Sequence, residues 1–274
     1  MMQPGFAEVS ALVRRRAGIV LTEDKAYLLD TRLGPVLSRF ALGSIKALGD
    51  KLRAGPNEVL ERAVVESLTT HESSFFRDGR PFEHLRGLLP KLAAAKGAGE
   101  RVRIWSAACS TGQEAYSVAI LGHEVLGPGA ATRLDILGTD ISGEVVARAR
   151  AGGFTQFEVQ RGLPIRALMT HFVQDGPRWH IKPALRGMVR FEERNLLADC
   201  SALGRFDVIF CRNVLIYFDA PTKTRVLEML ARQLTPDGVL YLGAAETVIG
   251  LTDRLAPVPG ERGVYGLAAH RIAA

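Results

Sequence analysis

The stretch from Arg103 to Ile120 constrains the fold more than any other part of the 274-residue chain. It opens on Ile104, Trp105, Ser106 and Ala107, a short apolar run bounded by small residues, which reads as a strand buried in a parallel sheet. It turns through Ser110, Thr111 and Gly112, then restarts with Tyr116, Ala119, Ile120 and His123 at helical spacing. Strand, tight turn and helix make the first unit of a doubly wound sheet. Ligands of such sheets sit off the carboxyl ends of the strands, against a helix N-terminus.

The turn narrows the ligand. Its one glycine, Gly112, is not the G-x-G-x-x-G run of dinucleotide binders, and no Lys-Ser/Thr pair follows it as in a phosphate-cradling loop. Glu114 stands in the first helical turn, where the helix dipole favours a carboxylate. It can meet a cationic ligand there, or serve only the helix. A second apolar strand, Leu134 to Asp140, ends in an acid placed to accept hydrogen bonds from two ribose hydroxyls. Alternatively Asp140 or Ser142 caps the helix from Glu144 to Ala151. A third strand, Phe206 to Asn213, ends in polar groups and runs on through Val214 to Phe218.

These segments resemble the chemotaxis receptor glutamate methyltransferases, the CheR family. The likeness rests on Trp105–Gly112, on Gly138–Ser142, on the Cys-Arg-Asn-Val-Leu-Ile-Tyr-Phe string from Cys211 to Phe218, and on His71–Arg77. It runs in order along nearly the whole chain. It implies S-adenosylmethionine as methyl donor, S-adenosylhomocysteine as product, and no metal. The acceptor it implies is a glutamate carboxylate on the cytoplasmic helices of methyl-accepting chemotaxis receptors.

The resemblance also assigns residues. His71, Ser73 and Arg77 stand where the family has Asn, Thr and Arg contacts to the donor. Serine keeps the hydroxyl; histidine keeps a donor and an acceptor but changes the reach. Arg77 can fork onto the donor's carboxylate. Glu114, aligned with the second Glu of the family's Gly-Glu-Glu-Pro-Tyr-Ser turn, is assigned to the donor's ammonium, and Asp140 to its ribose. Asn195 and Leu196 flank the adenine, and Arg212 and Asn213 line the same pocket. Tyr217, beside the methyl, and Arg77 are the expected catalytic side chains.

The implied architecture is α/β. An N-terminal all-helical bundle (residues 1–90) and a linker (91–100) precede a seven-stranded Rossmann-like class I methyltransferase domain (101–274). The linker is the Ala/Gly-rich run Ala93–Glu100. In the bundle, Phe6, Val9, Val13 and Ala17 share one helical face, and Leu29, Leu33, Val36, Leu37 and Phe40 make a second stripe. Ser44 and Asn57 are expected caps. Residues His171–Ile181 read as a hairpin turning at Asp175-Gly176, and Gly187–Phe191 as its third strand. That antiparallel β-subdomain, about 165–193, grips a receptor C-terminal peptide in some family members.

Composition sets outer bounds. The net charge is +6, with Arg14, Arg15 and Arg16 the densest basic cluster. The cations are otherwise scattered, without aromatic interleaving, so an acidic protein partner is favoured over nucleic acid. The chain also lacks the Asn/Asp-Pro-Pro-Tyr/Phe string of amino-methylating enzymes of nucleic acids. No apolar run is long enough to span a membrane and no signal peptide is evident. The three cysteines are expected to be reduced and buried. The expected state is a cytoplasmic monomer. A non-catalytic donor-binding scaffold is the competing reading, supported by the His71 departure alone.

Overall fold

The computed structural model describes residues 3–268. It divides into two compact units, one of residues up to Thr70 with Tyr217–Lys223, the other of His71–Ile216 and the residues from Thr224 on.

The first unit is helical, with α1 (Phe6–Ala17), α2 (Tyr27–Arg32), α3 (Gly34–Arg39), α4 (Ile45–Ala54) and α5 (Glu58–Leu68). The expected α1 stripe is buried, with Leu12 added to it. Ser44 accepts from the Ala47 N–H and Asn57 from the Leu60 N–H, so both expected caps form. The second stripe is split between α2 and α3. Pro35 in the first turn of α3 cannot donate to a continuing ladder. Leu29, Leu33 and Val36 are buried, and Leu37 and Phe40 only half so. The arginine cluster of α1 is largely paired within the unit: Arg14 Nη2 lies 2.6 Å from Asp219 Oδ2 and Arg16 Nε 2.8 Å from Glu61 Oε2.

Among its described residues the second unit carries ten strands: β1 (Val102–Ala107), β2 (Leu134–Asp140), β3 (Gly153–Thr155), β4 (Phe172–Asp175), β5 (Arg178–Ile181), β6 (Val189–Glu193), β7 (Phe206–Cys211), β8 (Leu234–Leu242), β9 (Leu255–Pro257) and β10 (Val264–Leu267). Seven form one sheet in the order β6-β2-β1-β7-β8-β10-β9. It is parallel except for the closing hairpin, β10 pairing antiparallel with β8 and β9. The chain leaves β1 to build one half of the sheet and returns at β7 to build the other, which puts the switch point of the topology between those strands.

Helices α6 (Arg80–Ala95), α7 (Gln113–Leu126), α8 (Ala130–Arg133), α9 (Gly143–Ala151), α10 (Gln156–Gln160), α11 (Ile165–His171), α12 (Pro183–Arg186) and α13 (Ala220–Gln233) accompany the strands. Every residue of α7 from Gln113 to Gly122 is buried. Its apolar residues are enclosed with the buried Gln113, Glu114 and Ser117, whose polar atoms are hydrogen-bonded.

Two expectations change. The units divide at Thr70, not across 91–100, because Phe82, Leu85, Leu89 and Ala93 of α6 join the core of the second unit. The Ala/Gly run is partly the end of that helix. The small antiparallel sheet has the order β3-β5-β4, so its third strand is Gly153–Thr155. Val189–Glu193, expected there, instead pairs parallel with β2 at the edge of the large sheet. Its alternating Val189 and Phe191 suit either place, and only long-range register separates them. No helix among the described residues is long and apolar enough to cross a membrane.

Candidate active site

The carboxyl ends of β1, β2 and β7 meet in a region of unusual backbone. Among the described residues six non-glycine positions have positive φ, and five lie in the segments that converge there: Phe76, Asp78, Ala108, Ser110 and Asn213. Such conformations cost of order 1–3 kcal/mol each and persist only where surrounding contacts over-determine them.

The turn after β1 is fixed from both sides. The N–H groups of Ala108 and Cys109 both donate to the Thr139 carbonyl at 2.8 Å, tying the exit of β1 to β2. Gly112 has φ of 96°, and a Cβ there would lie 3.1 Å from Ala149 Cβ and 3.2 Å from the Phe191 and Tyr116 rings. The torsion favours glycine, and a side chain there would also press tightly on those neighbours.

Asp140 ends β2, 6% exposed. Its Oδ2 accepts from the Ser110 N–H at 2.9 Å and its Oδ1 from the Ser142 N–H at 3.2 Å. Each oxygen retains a lone pair, the pattern that suits a pair of vicinal hydroxyls. Ser142, not Asp140, caps α9, accepting from the Val145 N–H. His71 joins this group through Nδ1, 3.9 Å from Asp140 Oδ1, and through its carbonyl, which accepts from Ser110 Oγ at 2.7 Å. Asn195 and Leu196 follow β6; the Asn195 Oδ1 accepts from the Leu197 N–H at 2.9 Å and Leu196 is buried.

A second cluster centres on Arg212, just past β7. Its Nη1 donates to Glu114 Oε2 at 3.0 Å, and its Nη2 to Asp78 Oδ2 at 2.5 Å and the Arg77 carbonyl at 2.9 Å. Its Nε is buried without a partner. Glu114 also accepts from Ser106 Oγ at 2.7 Å. The carboxylate expected to await an ammonium is thus already neutralised by a guanidinium, and an ammonium would share it. The Arg77 side chain donates to the Glu72 carbonyl at 3.2 Å. Ser73 is half-buried in the same segment.

That segment is clamped. Phase-fixing contacts come from Phe75, which is fully buried against Phe154 and Phe172 at 5.0 and 5.7 Å between ring centroids. The Phe76 N–H donates to Ser117 Oγ at 2.9 Å. Tyr217 belongs to the other compact unit, where its carbonyl accepts from the Val20 N–H at 2.9 Å.

Sequence reasoning missed Glu246. Its Oε1 accepts from the N–H groups of Val214 and Leu215 at 2.9 and 2.7 Å, its Oε2 from those of Asn213 and Gly243 at 2.9 and 2.6 Å. One buried carboxylate so holds the exits of β7 and β8 together, with Asn213 at φ of 59°. The available signal was an acid in a small-residue turn, Gly243-Ala244-Ala245-Glu246, directly after an apolar strand.

Burial disfavours the thiolate form of both cysteines near the site. Burial, then the charges of Asp140 and Glu114, push the Cys109 thiol well above its ordinary value; burial, then Glu246 and Glu114, do the same to Cys211. A thiol whose pKa is raised on folding contributes stability in full below its unfolded pKa and loses it as pH rises beyond. Denaturant midpoints should therefore hold to about pH 8.5 and fall above about pH 9, where unfolded thiols ionise. The loss should be shallower in Cys109→Ala, and a midpoint unchanged from pH 8 to pH 10 would contradict the assignment.

The side chains fit an adenosyl donor. Asp140 offers a diol acceptor, Asn195 a half-buried amide beside the apolar Leu196, and Glu114 a carboxylate at the helix start. A family model described as CheR methyltransferase, SAM binding domain, matches residues 71–264, and one described as CheR methyltransferase, all-alpha domain, matches residues 4–69. The chemotaxis protein methyltransferase Cher2 of Pseudomonas putida is 37% identical over 94% of this chain and 96% of its own. Chemotaxis protein methyltransferase 1 of Pseudomonas aeruginosa is 40% identical over the same shares, 94% and 96%. A TehB-like SAM-dependent methyltransferase structure from Corynebacterium glutamicum superposes with TM-score 0.37 at 17% identity, over 69% of this chain and 100% of that one.

Proposed function

Because the chain belongs to the CheR methyltransferase family, we propose that it transfers a methyl group from S-adenosylmethionine to glutamate side chains of chemoreceptors. The products are glutamate methyl esters and S-adenosylhomocysteine. The observation that carries this reading is Asp140 at the tip of β2, its two oxygens each held by one backbone N–H beside the turn after β1.

The donor supplies a methyl carbon made electrophilic by its sulfonium. Asp140 binds the ribose hydroxyls, Asn195 and Leu196 the adenine, and Glu114 the ammonium. Ser73, His71 and the wall formed by Arg212 and Asn213 complete that pocket, and Arg77 pairs with the donor's carboxylate. The acceptor glutamate, with an ordinary pKa of about 4.3, is already an anion at neutral pH, so the chain has no proton to remove. The acceptor oxygen bonds to the methyl carbon as the carbon–sulfur bond breaks and its electron pair stays on sulfur. What remains for the protein is in-line placement and exclusion of water while opposite charges neutralise. Tyr217 holds the acceptor carboxylate beside the methyl.

Each ester removes one negative charge from a packed receptor helix bundle, easing like-charge repulsion there. Incubation with methyl-labelled donor and a chemoreceptor cytoplasmic fragment should give base-labile label on glutamate. Tyr217→Phe should lower kcat about tenfold or more with little change in S-adenosylhomocysteine affinity. A folded, donor-binding protein that labels no receptor fragment would return the reading to a scaffold role.

A further inference from the structure

Beyond the donor pocket, the second unit has a cavity of 540 Å³ at the carboxyl ends of β7 and β8. Its lining includes Asp78, Arg80, Arg212, Leu242, Arg262 and Tyr265. Arg212 also reaches Glu114 at the start of α7, so this cavity and the turn after β1 share a wall. A group entering here approaches the donor turn from the β8 side of the sheet.

The charges on the lining are not equivalent. Three cations, Arg80, Arg212 and Arg262, face two carboxylates, Asp78 and Glu246. Asp78 is taken by Arg212, and Glu246 by four backbone N–H groups. Arg80 and Arg262 are exposed, and among the described residues neither guanidinium has a hydrogen-bond or ion-pair partner. Both also line a second cavity of 480 Å³, bordered by Glu83 and Glu261 and not lined by Arg212, so they stand where the two meet.

On the reading that the acceptor is a glutamate, we infer that the 540 Å³ cavity is the acceptor site and that Arg80 and Arg262 are its specificity-determining residues. They hold acidic side chains of the receptor helix that flank the one being methylated. Two guanidiniums without a partner among the described residues, beside a cavity whose own carboxylates Asp78 and Glu246 are engaged, select an acidic peptide over a neutral one, because a guanidinium–carboxylate fork adds geometry to charge.

The test uses the full chain, methyl-labelled donor and a chemoreceptor cytoplasmic fragment, either with its flanking glutamates intact or with them replaced by glutamine. Arg80→Gln and Arg262→Gln should each raise the fragment's KM about tenfold. The change in kcat should stay within about twofold, S-adenosylhomocysteine affinity should not move, and Arg262→Lys should recover part of the loss. The neutralised fragment should show the same raised KM with the wild-type protein and no further rise with the double variant, the signature of coupled partners. A KM unchanged in the double variant, with the wild-type protein forming ester, would overturn the assignment of these arginines while leaving the methylation reading intact. An absence of ester with the wild-type protein overturns both.

Discussion

Replacing Glu246 by glutamine should lower the thermal midpoint by about 10 °C and weaken S-adenosylhomocysteine binding as well. The carboxylate uses both oxygens twice, accepting from Val214 and Leu215 on one and from Asn213 and Gly243 on the other. Glutamine has one acceptor oxygen, and its amide group would point two N–H donors at two N–H donors. A buried donor left unsatisfied costs about 1–3 kcal/mol, so two such losses come to about 3–4 kcal/mol. For a chain of this size that is a shift of about 2–4 °C per kcal/mol. The turn that carries Arg212 and Asn213 loses its tie to the end of β8, which is why binding should suffer with stability. Differential scanning calorimetry checks the first part and titration with the product the second. A midpoint within about 2 °C of wild type would mean that the strand exits are held by something else.

Asp140→Asn should reduce S-adenosylhomocysteine affinity about 100-fold while leaving the fold intact. Two charge-assisted hydrogen bonds to a diol are worth about 1.5 kcal/mol or more each, and 1.4 kcal/mol is a factor of ten. The amide keeps the size of the side chain, so packing at the end of β2 is preserved. It offers one acceptor where the carboxylate offers two, and Ser110 and Ser142 already claim one bond on each oxygen. Calorimetric titration gives the number directly. A loss below about fivefold in a folded variant would remove Asp140 from the nucleoside pocket.

Much of the local grammar was legible in the residues. Ser44, Asn57 and Ser142 each cap the helix that follows, since a hydroxyl or amide one step before an apolar period has a nearby N–H to satisfy. The strand–turn–helix of Trp105 to Ile120 and the acid ending the next strand also read correctly, because an apolar run, a small-residue turn and a 3.6-residue period are all contained within a few residues. The hairpin turning at Asp175-Gly176 formed as well.

Other features were not local. The α6 stripe of Phe82, Leu85 and Leu89 announces a helix but not which core will receive it, and that placement moved the division of the chain to Thr70. Val189–Glu193 fits an edge of either sheet by its own alternation. The positive φ values at Ala108, Ser110 and Asn213 fall on residues that carry no glycine-like marker.

By itself the sequence determined the element types, the caps, the turn after β1 and the acid at the tip of β2, because each depends on hydrogen bonds and torsions spanning only a few residues. Tertiary structure alone decided that Arg212 would neutralise Glu114, that Glu246 would bind four N–H groups from two strand exits, and that Arg80 and Arg262 would find no partner among the described residues. Burial forces each polar group to find a partner. Which partner it finds is set by strand order and register, which bring together residues far apart in the chain.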